Sequence, residues 1–163
     1  MSNDLKEEYF FPKILRSYIL TSDSKEDIEK LCFDVVDWVQ RMGFESLIFL
    51  GETEMPWLSQ KNDAKQAKEA VQFFKAQKID VRYNGGFIVD NRALPEFITH
   101  LFWLTRLNAS FPMVYFTDKN QGLIGNLCKY GNLHIFTLSE AIDNFILTVV
   151  GESHFKLAEG MQC

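Results

Sequence analysis

Cysteine is scarce in this chain: Cys32, Cys128 and Cys163 are odd in number and far apart. There is no CxxC pair and no Cys/His ligand spacing, so neither a disulfide framework nor a structural zinc site is expected. No metal or other cofactor is assigned. Two of the three fall inside apolar helical patterns, where cysteine serves as a small hydrophobe. Long apolar runs are missing as well. None approaches the roughly 18 residues a membrane span needs. The acidic opening Met1-Ser2-Asn3-Asp4-Leu5-Lys6-Glu7-Glu8 lacks the apolar core of a secretory signal. The expectation is a cytoplasmic protein with reduced thiols and no membrane partner.

Positive charge is also short. Lys and Arg total 17 against 22 Asp and Glu, a formal net charge of −5. Nucleic-acid binders carry a basic footprint, so a nucleic-acid partner is disfavoured and a basic protein partner favoured. The common chemical signatures are absent too. There is no GxGxxG or GxxxxGK[ST] to cradle phosphate, no GxSxG elbow and no HExxH. Gly122-Leu123-Ile124-Gly125-Asn126 reads as a glycine-bearing turn into a helix, a weak anion signal at most.

What the chain does have is apolar bulk. Hydrophobic residues make up 47% of it, including 15 phenylalanines. Its 163 residues fit one domain, 1–163, with residues 1–12 as an N-terminal arm and 152–163 as a loosely held tail. Strand-like runs alternate with helical ones. Residues 13–21 and 44–51 read as strands, and 110–118 as a strand buried on both faces. Residues 133–136 read as the last strand. Residues 79–83 and 87–89, around Asn84-Gly85-Gly86, offer a short hairpin at 79–89. Helices are expected from Ser24 to Gly43, 62–77, 94–107, 123–129 and 138–149, with Ser24-x-x-Asp27 and Thr137-x-x-Glu140 as capping boxes. This order predicts an α/β three-layer sandwich, Rossmann-like or flavodoxin-like, with a mainly parallel sheet of about five strands flanked by helices.

In such a sheet, ligands bind beyond the carboxyl ends of the strands. That rule places Glu52, Glu54 and Trp57 after the second strand beside Asp118 and Lys119 after the central one. Convergent carboxylates are the minimum for acid–base or Mg²⁺ chemistry, so this crevice is the site that a small enzyme or ligand sensor of hydrolase or nucleotide type would use. His100, His134 and His154 have no evident catalytic companions and read as structural.

Two surface features favour binding over catalysis. A helical wheel gathers Asp23, Glu26, Asp27, Asp34 and Asp37 into an acidic outer face on the first helix. Charge is segregated along the chain, with twelve acids against six bases in residues 1–60. The helix at 94–107 is apolar nearly all round, so it is either doubly buried, beneath the long loop from Glu52, or presents an interface. In the second case Trp103, which projects away from its main apolar face, is a partner anchor or a route to homo-oligomers. The reading that needs least is a non-enzymatic protein-binding module: an acidic inhibitor, of the immunity-protein kind, that neutralises a basic partner such as a nuclease toxin domain. Asp23, Glu26, Asp27, Asp34, Asp37, Glu52, Glu54, Trp57 and Trp103 are the expected contact residues, with the carboxylates standing in for phosphates over a basic cleft.

Overall fold

A computed structural model describes residues 12–51, 54–58, 62–107, 113–160 and 163. Its strands are β1 (Arg16–Ser22), β2 (Ser46–Leu50), β3 (Gly86–Asp90), β4 (Tyr115–Asp118), β5 (Leu123–Leu127), β6 (Leu133–Thr137) and β7 (Phe155–Leu157). The helices are α1 (Ile28–Arg41), α2 (Lys65–Ala76), α3 (Leu94–Leu107) and α4 (Glu140–Glu152). The strands form one sheet in the order β3-β2-β4-β5-β6-β1-β7, and every pairing in it is antiparallel.

The fold is α/β, but the mainly parallel, Rossmann-like or flavodoxin-like sheet of about five strands is not what forms. The reason lies in the connections. Parallel neighbours need a crossover of a dozen or more residues, whereas β4, β5 and β6 follow one another through turns of a few residues. Residues 123–127, expected as helix, are the strand β5. Gly125 explains how: its backbone faces the Phe116 ring so closely that a Cβ would lie 2.0 Å from it. A mid-strand glycine here makes room for a neighbouring aromatic. The hairpin at 79–89 is not formed either. The Asp80 carboxylate accepts from Arg82 N at 2.7 Å and its carbonyl from Tyr83 N at 3.1 Å, which closes a local turn. Gly86–Asp90 pairs with β2 instead.

Register sorts the side chains into two faces. One carries the rows Leu20–Leu133–Leu127 and Tyr18–Ile135–Gly125–Phe116–Phe49–Phe87, mostly buried. The helices cover it as one layer, α3 touching α1 and α2 and α1 touching α4. The other face carries Ser17–Phe136–Ile124–Thr117–Ile48–Ile88 and Ile19–His134–Asn126–Tyr115–Leu50, mostly half-buried or exposed. The strand expected to be buried on both faces therefore alternates, with Phe116 and Asp118 inward and Tyr115 outward. Two layers form where three were expected.

The helix N-caps differ from the two expected capping boxes. Asp27, not Ser24, caps α1, accepting from Lys30 N at 3.2 Å. Ser139, not Thr137, caps α4. Gly43 ends the first helix as its position implied, at φ +78°. Within the stretch read as a tail, Phe155–Leu157 pairs with β1 and Phe155 is buried.

Asp143 on α4 ties three elements together. Its Oδ1 accepts from the Thr137 hydroxyl at 2.8 Å and the Tyr18 hydroxyl at 2.9 Å, with Arg16 Nε 3.5 Å from Oδ2. The Thr137 bond first, then Tyr18 and the Arg16 charge, hold its carboxyl below the ordinary value of 3.8. A depressed carboxyl stabilises the folded state above its unfolded pKa, and that contribution is lost as pH falls through the folded value. Urea midpoints taken downward from pH 6 are expected to fall more steeply below about pH 4 for wild type than for Asp143→Asn.

Candidate functional site

The residues proposed for a strand-end crevice do not converge. Leu50 pairs with Tyr115 and Leu47 with Asp118, so β2 and β4 run in opposite directions. The segment after β2, with Glu54, leaves the sheet at the end where β4 begins, and Asp118 and Lys119 leave at the other. Glu52 lies outside the described residues. Asp118 is 4% exposed and fully engaged. Its Oδ1 accepts from Gly122 N at 2.7 Å and Leu123 N at 3.1 Å, and its Oδ2 from Asn120 N at 3.0 Å. It clamps the β4–β5 turn. Trp57 is buried among Phe74, Phe87 and Phe97, with Nε1 donating to Gly85 O at 2.9 Å. Lys119 and Glu54 are exposed.

The acidic face of the first helix divides. Asp34 is buried, its carboxylate accepting from the Ser22 hydroxyl at 2.6 Å, which fixes α1 to the end of β1. Asp23, Glu26 and Asp27 are exposed and Asp37 is half-buried. Each is matched by a base: Lys156, Arg106, Lys30 and Arg41 respectively. Surface pairs of this kind contribute roughly 0–1 kcal/mol each, so an incoming basic group can exchange with them. Trp103 is half-buried and packs against the core.

A different residue emerges at the centre of this surface. Phe33 on α1 is 66% exposed. Glu29 and Asp37 stand one turn before and after it, four residues apart in each direction, so the three form one stripe. Alongside runs a cavity of about 310 Å³ between α1 and α3, lined by Glu29, Cys32, Val36, Gln40, Pro95 and Thr99 with Phe33 and Asp37. Its floor is uncharged. Cys32 is buried, and burial pushes its thiol up to about 11, so it stays protonated at neutral pH. The groove is thus an apolar trough with acids on its rim and a phenyl ring at its lip. Among the described residues Glu29 has no basic partner.

Phe33 falls in the same sector of the helix as the acids, so a wheel sorted into an apolar stripe and an acidic face leaves it unassigned. The informative signal is its misplacement: a phenylalanine on the polar sector of an otherwise clean amphipathic helix.

The histidines separate as well. His100 stacks on Phe73 at 4.5 Å, and burial holds it below its ordinary pKa. His134 lies on the sheet face opposite the helices, paired with Asn126 and Ile19, and is also held down by burial. Its Nε2 lies 2.8 Å from Cys163 Sγ. His154 is exposed.

Comparison with protein-family models, with curated proteins and with solved structures finds no match to this chain.

Proposed function

We propose that this chain is a non-enzymatic binding module that docks on a basic protein through the α1–α3 groove, in the manner of an inhibitor or immunity protein covering the basic cleft of a nuclease toxin domain. The observation that carries this reading is the Glu29–Phe33–Asp37 stripe. An aromatic ring left two-thirds exposed on a polar helix face loses hydration free energy only when something covers it. Flanking carboxylates select a cationic partner and speed its approach, while the ring supplies the desolvated anchor that slows its departure. The net charge of −5 acts in the same direction at long range. Asp23, Glu26, Asp27 and Asp37 remain available as rim contacts. Asp34 drops out of the contact set, since its carboxylate is spent inside the fold.

The test is affinity capture from the source cells, with wild type, Phe33→Ala and the double variant Glu29→Lys/Asp37→Lys run side by side and eluates read by mass spectrometry. These are surface changes, expected to move stability by roughly 0.5 kcal/mol or less. Wild type is expected to retain one stoichiometric basic protein. Phe33→Ala should weaken its binding by about 30-fold, the loss of about 2 kcal/mol typical of a central aromatic anchor. The double variant should abolish capture at physiological salt. A partner held equally by all three proteins, or no stoichiometric partner at all, would overturn the proposal.

A further inference from the structure

Outside the helical layer, two thiols and an imidazole, two from the β5–β6 hairpin and one from beyond β7, come together. We propose that Cys128, His134 and Cys163 form a binding site for a thiophilic divalent transition metal, with Zn²⁺ as the ion the donor set fits. Their ligating atoms all lie within 4.8 Å of one another. The Cys128 and Cys163 sulfurs are 3.6 Å apart, and His134 Nε2 is 2.8 Å from Cys163 Sγ. Two thiolates on a tetrahedral zinc, each at about 2.3 Å, stand about 3.8 Å apart. The sulfurs therefore already stand close to the separation a shared ion requires, and the His134–Cys163 distance would lengthen by about 0.7 Å to match a shared tetrahedral ion.

The fold explains why two of the three are pre-positioned. Cys128 follows β5 directly, and its backbone N donates to Asn132 O at 3.0 Å, prolonging the β5–β6 ladder. Gly131, at φ +82°, closes the turn back to Cys128 O at 2.9 Å. Alternation along both strands then puts Cys128 and His134 on the face away from the helices, as diagonal cross-strand neighbours within side-chain reach. Cys163 arrives from beyond β7, which lies two strands from β6 in the sheet. A bound ion would fasten this segment to the hairpin.

Three protein ligands leave a tetrahedral ion one further position. A cavity of about 390 Å³ opens beside all three, with Met113, Tyr115 and Phe136 among its walls. The fourth position therefore faces this cavity, where water or a small ligand takes it up, as in zinc sites that keep an open coordination place. Two thiolates and a neutral imidazole balance the charge of a divalent ion, and Zn²⁺ suits that mixed sulfur–nitrogen set, where hard cations such as Mg²⁺ take oxygen.

Sequence spacing hid this site. Cys128 and His134 are six residues apart, a separation with no meaning as a linear motif, and it brings them together only because a hairpin turn lies between them.

The experiment is equilibrium dialysis of the reduced full chain against Zn²⁺, with metal counted by mass spectrometry, and parallel Co²⁺ substitution read by absorption. Wild type is expected to retain one ion per chain and, with Co²⁺, to show thiolate-to-metal charge transfer and strong tetrahedral d–d bands. Cys128→Ser, His134→Gln and Cys163→Ser should each weaken binding by more than about a hundredfold, since even outer-shell partners are worth about 10–100-fold. Cys163 is exposed, so Cys163→Ser keeps the test valid if the hairpin variants fold poorly. Failure to retain metal, a Co²⁺ spectrum without thiolate charge transfer, or Cys163→Ser binding as tightly as wild type would each overturn the proposal.

Discussion

Trp57→Ala is expected to lower the unfolding free energy by about 3–5 kcal/mol, as large aromatic truncations in a closed core do. That is a fifth or more of the roughly 5–15 kcal/mol by which domains of this size are stable. The indole is fully buried, 4.8 Å from Phe87, 5.4 Å from Phe74 and 6.3 Å from Phe97 between ring centroids. Tilted and edge-to-face contacts of this kind add roughly 0.5–1.5 kcal/mol each beyond burial alone. The main chain at Trp57 is also held, its N–H donating to Tyr83 O at 3.0 Å, so the site cannot collapse freely around a missing ring. Trp57→Phe keeps a ring but leaves Gly85 O without its 2.9 Å donor, and about 1–2 kcal/mol is expected there. Urea unfolding of the three proteins measures both differences. An alanine variant within about 1 kcal/mol of wild type would mean that the ring lines an open surface, as a ligand-stacking role requires.

Asp118→Ala is expected to cost about 3 kcal/mol, again read from urea unfolding. Three backbone N–H groups, at Asn120, Gly122 and Leu123, would lose their acceptor at once, the last two of them in buried surroundings. Each buried donor left unmade costs about 1–3 kcal/mol, and partial entry of water brings the sum down. Asp118→Asn separates the contributions. It can keep the Oδ1 acceptor for Gly122 and Leu123 while setting an amide against Asn120 N, so a smaller loss of about 1–2 kcal/mol is expected. A catalytic carboxylate behaves in the opposite way, its removal sparing or raising stability while removing activity. Stability unchanged in Asp118→Ala would restore the strand-end chemistry that the antiparallel register argues against.

These two residues also show what the sequence made legible. The apolar spacing of Ile28, Leu31, Cys32, Val35 and Val39 located α1 because helical period and burial coincide there, and Gly43 marked its end by the left-handed conformation it adopts. Strand direction was out of reach. Nothing local distinguishes a short strand buried beneath helices from one in a parallel sheet, and alternation of strands and helices favoured the parallel reading. The decisive clue was the four-residue connection from Asp118 to Leu123, visible only once Leu123–Leu127 is recognised as strand, and Gly125 disguised that. Asp118 is ambiguous from sequence because an acid at a strand end serves a turn and a catalytic centre equally well. Asp34 was read as surface from the helical wheel, which cannot anticipate the Ser22 hydroxyl that takes it inside. Phe33 was legible in principle. A phenylalanine flanked by acids at four-residue spacing departs from the amphipathic pattern, and that departure can be read from the sequence alone.

The most direct measurement of the docking claim is hydrogen–deuterium exchange on the chain alone and in complex with the basic protein it captures. Docking through the α1–α3 groove is expected to slow exchange in residues 29–40 and 95–99 and to leave β2 and β3 unchanged. Protection confined to the sheet face of Leu50, Ile88 and Tyr115, with α1 exchanging as in the free chain, would contradict it.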